Sequence, residues 1–141
     1  MTRILLDTDT ILDLFFDRAP YAQDTAKILS LCESRQIEAY ITPIVVSNAY
    51  YLLRKTAPHI QVITQLRLLM SIVQVLEVRK EMILHAMNSS FKDFEDALQN
   101  YAAESSDTID VIVTRNVKDY KKSALSIQTP DAFLKRIVIE S

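Results

Sequence analysis

Asp7, Asp96 and Asp119 lie far apart along the 141-residue chain, yet each stands where an element begins or ends. Asp7 closes the short apolar run Arg3–Leu6. Asp93, Glu95 and Asp96 fall in the first turns of a helix that leads into the β-branched run Ile109–Val113, and Asp119 follows that run. Oxygen donors of this kind suit hard cations such as Mg²⁺ or Mn²⁺, which bind few carboxylates, keep several waters and neutralise phosphate oxygens. The sequence has no cysteine pair and no phosphate-binding loop, so metal-assisted hydrolysis is the simplest chemistry these residues offer.

Taken one at a time, the acids also have plainer roles. Asp7 or Asp9 can cap a helix. Asp93, Glu95 and Asp96 can complement a helix dipole, and a helical wheel sets Asp93 and Asp96 away from the apolar face of Phe94, Leu98 and Ala102, towards solvent. Asp119 can be an ordinary loop acid. His59 and His85 have no partner at metal-ligand spacing, and neither Ser47 nor Ser105–Ser106 has a base or oxyanion turn to activate it. Tyr40, Tyr50, Tyr51 and Phe94 can stack on single-stranded bases, but they can equally fill a core or a dimer seam.

Composition narrows the field further. The chain carries 16 Lys and Arg against 18 Asp and Glu, a net charge of −2 without the basic footprint of a protein that holds long nucleic acid. Any nucleic-acid contact is therefore expected to be local. Glycine is absent, which excludes Walker A loops, the GxGxxG dinucleotide turn and the hydrolase nucleophile elbow, because each brings its backbone close to a ligand or through a strained turn. Helices must then end on other residues, with Asn or a following proline expected. Cys32 is the sole cysteine, so no internal disulfide and no thiolate zinc site can form; a reducing, cytoplasmic setting is expected. No secretory signal is read at the start of the sequence, and no apolar run approaches the ~20 residues of a membrane span.

The acids need elements to position them. Arg3–Leu6 reads as a buried central strand that delivers Asp7 to a pocket, with a helix following at once through Ile11, Leu12, Leu14, Phe15 and Phe16, capped by Thr8, Asp9 or Thr10. The pattern then predicts a helix over 21–34, a strand over 38–42, a helix from Pro43 towards Lys55, a helix over 59–71 and an edge-like strand over 73–78. Helices over 80–87 and 91–104, strands over 109–113 and 124–127, and a helix opened by Pro130 complete the order. Strands alternate with helices throughout, which argues for one α/β domain over residues 1–141. Its architecture is expected to be three-layer α/β/α, with a mostly parallel central sheet and ligands beyond the strands' carboxyl ends.

Four segments, LLDTDTILD, SNAYYLLRK, FKDFEDALQ and IDVIVTRNVKDY, follow one another in an order and spacing that resembles the PIN-domain family, including its VapC-type toxins. They span residues 4 to 120, and QTPDAFL resembles the family's closing strand-to-helix step. The resemblance implies a PIN-like fold and a metal-dependent nuclease, a ribonuclease acting on single-stranded or structured RNA with Mg²⁺ or Mn²⁺. It also implies a toxin neutralised by a small antitoxin protein, and a homodimer. Residue by residue, it makes Asp7, Asp96 and Asp119 catalytic metal ligands and sets Thr114, Arg115 and Asn116 in the polar turn beside the substrate. Asp9 falls near the metal as a fourth carboxylate, and Asp93 is at most an alternative ligand. Positive charge opposite the phosphate can come from Arg115, and from Arg54 and Lys55 unless these form only a solvated helix end. At the position of the second-helix glutamate found in many relatives, this chain has Asn48, whose amide can hydrogen-bond or coordinate weakly but carries no charge and cannot serve as a base. That departure leaves a second reading open, a catalytically weak or inactive PIN-like module that binds nucleic acid or protein.

Overall fold

The computed structural model describes residues 1–140, with side chains through residue 138. Its centre is a five-stranded sheet in the order β3-β2-β1-β4-β5, from β1 (Thr2–Leu6), β2 (Ile37–Ile41), β3 (Gln74–Val75), β4 (Val111–Val113) and β5 (Ser126–Gln128). Every pairing is parallel, so the expected mostly parallel sheet is parallel throughout. Helices α1 (Thr8–Phe15), α2 (Tyr21–Glu33), α3 (Pro43–Leu53), α4 (His59–Met70), α5 (Lys80–Met87), α6 (Phe94–Ser106) and α7 (Pro130–Glu140) cover it, with a 3-10 turn at Val117–Tyr120.

Both faces of the sheet are buried, and β1 shows how. Successive side chains of a strand point to opposite faces, so Ile4 and Leu6 enter one core with Ile28, Leu29 and Phe133. Leu5 enters the other with Met82, Ala102, Ala103 and Ile112. An unbroken apolar run is what such a doubly covered strand requires. A third cluster of Leu12, Ala49, Leu53, Val62 and Leu66 packs α1, α3 and α4 together beyond the sheet.

The strand order decides where a ligand can sit. After β1 the chain builds outward through β2 to β3, then returns through α5 and α6 to pair β4 against the other side of β1. The carboxyl ends of β1 and β4 therefore flank the point where the winding reverses, which is where open α/β sheets leave a crevice.

Several boundaries differ from the sequence reading for local reasons. The strand expected over 73–78 shrinks to Gln74–Val75, because β3 is an edge strand paired only to Tyr40 and Ile41 of β2. The helix expected from Phe91 starts at Phe94, because Asp93 takes the cap, its carboxylate accepting from the Asp96 N–H at 2.9 Å. Thr42 leaves β2 to cap α3, and Asp7 rather than Thr8, Asp9 or Thr10 caps α1. Without glycine, the left-handed backbone positions fall to Asp17, Arg35 and Asp107 (φ 52°, 61° and 55°) instead of to Asn. Among the described residues, no helix is long and apolar enough to cross a membrane.

Candidate active site

The crevice at the switch point has a volume of about 540 Å³. Asp7, Asp9, Asp96 and Asp119 line it, joined by Asp93 and Glu95. Asn48 and Tyr51 of α3, with Lys55 in the turn after it, form the facing wall, and Asn116 and Gln99 contribute amides. Lys55 is the one basic residue on these walls among the described residues.

Each acid is placed by a short physical chain. Asp7 leaves β1 in an extended conformation and caps α1: its Oδ1 accepts from the Thr10 N–H at 3.1 Å and the Thr10 hydroxyl at 2.9 Å. Leu6 pairs with Val113 across the sheet, so the next residues, Asp7 and Thr114, meet, and the buried Thr114 hydroxyl donates to Asp7 Oδ2. Thr114 Oγ1 in turn accepts from the Asn116 N–H at 3.0 Å, and the Asn116 amide donates to Asp9 Oδ2 at 2.8 Å. The Asp119 N–H closes the turn on the Asn116 carbonyl at 2.9 Å.

Across the crevice, α6 begins at the same level as α1. The Thr8 hydroxyl donates to Glu95 Oε1 at 2.7 Å and ties the two helix starts together. Their N–H ends carry partial positive charge, which offsets part of the repulsion among the acids. Asp96, half-buried, accepts at Oδ1 from the Tyr120 phenol at 3.3 Å. Gln99, one turn on from Asp96, is buried and accepts from the Thr42 hydroxyl at 3.4 Å, which fixes α6 against the start of α3.

The electrostatics follow from this crowding. Burial lifts the Asp7 carboxyl to about 6; the bonds from Thr114 and Thr10 pull the other way, and Asp9 adds to the rise. Burial lifts Asp96 to about 7, reinforced by the charges of Asp93, Asp119 and Asp7, while the Tyr120 hydroxyl opposes it. Tyr120, only 1% exposed, is itself pushed upward by burial and by the Asp7 and Asp96 charges, so it stays a protonated donor. The donor chemistry therefore fits a hard cation: carboxylates from three elements share one crevice, and neighbouring charges add to the raised proton affinity of Asp7 and Asp96. They do not form a closed cage as they stand, since among the described residues no three His, Cys, Asp or Glu side chains are grouped tightly enough to hold an ion.

Two residues of the polar turn lie outside this crevice. Thr114 meets Asp7 from beneath and is fully buried. Arg115 points away: its guanidinium makes a two-point contact with Asp13, Nε to Oδ2 at 2.6 Å and Nη2 to Oδ1 at 3.0 Å, and stacks on the Tyr21 ring at 4.3 Å. Arg54 is also turned elsewhere and donates to the Ala57 carbonyl at 2.9 Å. The two histidines and the cysteine are taken up by their local surroundings. His59 bonds Tyr50, His85 stacks on Tyr101, and burial pushes the Cys32 thiol up to about 11, which leaves it unreactive. Sequence reasoning did not single out Tyr120 or Gln99. Gln99 could have been found from its spacing of three from Asp96, but nothing in the sequence marks the Tyr120 hydroxyl as facing that acid.

The fold is shared with solved VapBC and VapC structures. VapBC-1 from nontypeable Haemophilus influenzae superposes with a TM-score of 0.70 at 21% identity, covering 92% of this chain and 99% of that one. VapBC2 from Rickettsia felis, bound to a DNA fragment from its promoter, gives 0.69 at 14% identity over 91% and 98%. Mycobacterium tuberculosis VapC20, a sarcin-ricin loop cleaving toxin, gives 0.58 at 16% identity over 77% and 86%. No curated protein sequence matches the chain. The family model for the PIN domain matches residues 3–118, which take in every acid lining the crevice except Asp119, the residue just beyond the match, and the chain therefore belongs to the PIN-domain family.

Proposed function

We propose that this chain is a metal-dependent ribonuclease, a single PIN-like domain over residues 1–141, that hydrolyses phosphodiester bonds in single-stranded or structured RNA. The observation that carries the reading is the convergence of Asp7, Asp96 and Asp119 on one crevice, where two of them hold their protons unusually strongly. Asp7, Asp96 and Asp119, with Asp9, would hold Mg²⁺ or Mn²⁺. When bound, such an ion neutralises phosphate charge and makes water a competent nucleophile. The chain's own residues do the rest. Thr10 and Thr114 fix both oxygens of Asp7, Tyr120 fixes one oxygen of Asp96, and Asn116 fixes Asp9. Asn48, on the opposite wall, is suited to hydrogen-bond water or a phosphate oxygen but cannot remove a proton. Lys55 supplies positive charge at the rim. Thr114 and Arg115 serve the substrate indirectly on this reading, by holding Asp7 and the base of α1.

The likeness to VapBC structures supports a role as the toxin of a toxin–antitoxin pair, silenced by a small antitoxin, and a cytoplasmic homodimer is part of the same proposal. A second reading, a binding module with weak or no catalysis, draws on Asn48 and on the open arrangement of the acids. Incubation of structured and unstructured RNAs with Mn²⁺, for the natural chain and an Asp7→Asn/Asp119→Asn double variant, tests the first. Cleavage should fall at least about a hundredfold in the variant. Equal cleavage would assign the activity to a contaminant, and absence of Mn²⁺ uptake by calorimetry would favour the binding module.

A further inference from the structure

One wall of the crevice is a strip along α3 and the turn after it. Asn48 and Tyr51, three residues apart, lie on one side of α3, Lys55 stands in the turn just after it, and all three line the crevice. Tyr51 is 67% exposed at this rim and so forgoes the gain of burying its ring. It is nevertheless braced: the Tyr50 ring meets it edge-on at 5.4 Å, and Tyr50 is itself pinned by a 2.8 Å hydrogen bond between its hydroxyl and His59 Nδ1. A fixed aromatic face beside an ammonium group, opposite several carboxylates, matches neither a core position nor an anion trap.

We propose that Tyr51 and Lys55 bind one unpaired nucleotide next to the bond to be cut, Tyr51 stacking on its base and Lys55 pairing with its phosphate. The proposal rests on the nuclease reading and sharpens it. A planar apolar face and a positive charge side by side on one crevice wall correspond to the two halves of a nucleotide. Because the opposite wall is rich in carboxylates, Lys55 gives a phosphate outside any bound cation its one cationic side chain on these walls among the described residues. A duplex keeps each base covered by its neighbours, so the exposed ring selects single-stranded or looped substrate. Flexibility of Lys55 lets the contact follow the backbone, while the braced Tyr51 sets the register.

The experiment uses the full chain in an Asp119→Asn background, with Mg²⁺ and a short single-stranded RNA containing 2-aminopurine. Tyr51→Ala should weaken binding roughly 5- to 100-fold, abolish quenching of the probe and leave the salt dependence unchanged; Tyr51→Phe should behave as the parent. Lys55→Ala should reduce the slope of log affinity against log salt by about 0.7. Duplex RNA should bind weakly to all of them. Unchanged affinity and quenching in Tyr51→Ala, or duplex bound as tightly as single strand, overturns the proposal. So does a Tyr51→Ala effect confined to self-association in sedimentation, which would make the strip a protein interface. Tyr51-dependent binding by a chain that cuts no RNA with its acids intact would sink the nuclease reading and keep the strip. Cutting and binding that both survive Tyr51→Ala would do the reverse.

Discussion

Two buried aspartates at opposite ends of α1 meet opposite fates. Asp13, with no exposed surface, is enclosed by arginines: Arg115 grips it at two points, and Arg18 adds a third contact at 3.3 Å. Asp7, also buried, faces other carboxylates and is held only by hydroxyls and one backbone N–H. The same side chain on the same helix is thus neutralised from within in one place and left to be neutralised from outside in the other. Internal pairing makes an acid structural, because both charges are satisfied by the fold. Hydroxyl tethering fixes an acid's position without cancelling its charge, which is the condition a cation site requires.

The largest expected effect tests the structural half. Arg115→Ala should cost about 3 kcal/mol in urea unfolding, since it strands a buried carboxylate, whereas Asp119→Asn on the exposed rim should stay within about 0.5 kcal/mol. If Arg115→Ala kept full stability and abolished RNA cleavage instead, the contrast between the two regions would be lost.

A pH series tests the other half. The Asp7 and Asp96 carboxyls keep their protons to about 6 and about 7, against an ordinary value of 3.8. In that window the unfolded chain has already released protons that the folded chain still holds. Folded stability from these groups is therefore greatest at acid pH and declines as pH rises from about 4 to about 7. A divalent ion takes the ionised form, so Mn²⁺ should raise the melting temperature at pH 8 and hardly at pH 5. At a hundredfold excess over its dissociation constant, the gain is about 2.7 kcal/mol. An increment equal at both pH values would show that the ion binds elsewhere.

The smallest effect concerns the tether itself. Tyr120→Phe keeps the buried ring and removes only the hydroxyl that donates to Asp96. Calorimetry should show Mn²⁺ binding about tenfold weaker, with little change in unfolding. Unaltered affinity would reduce the phenol to packing.

Much of the scaffold was legible because local patterns encode it. The run Ile4-Leu5-Leu6 announces a strand covered on both faces, Pro43 and Pro130 open helices, and Lys80–Met87 forms where its periodicity predicts. The edge strand was overestimated, since alternation at 73–78 does not show that only one neighbour is present to pair with it. Asp93 is exposed as the helical wheel predicts, but Asp96 is half-buried against Tyr120, because a wheel describes one helix and contains no second element opposite it. Arg115 looked like a substrate contact from its place beside Asn116, but its direction depends on Asp13, 102 residues away.

By itself, the order of residues determined the alternation of strands and helices, the chemical type of the donors and the exclusion of glycine-dependent phosphate loops. These follow from periodicity and side-chain chemistry, which are local. Only the tertiary structure decided which acids share a crevice and which is locked by arginine, that Tyr51 lines the crevice, and that buried Tyr120 holds Asp96. Parallel pairing of β1 with β4 joins segments more than a hundred residues apart, and no local rule carries charge or contact across that distance.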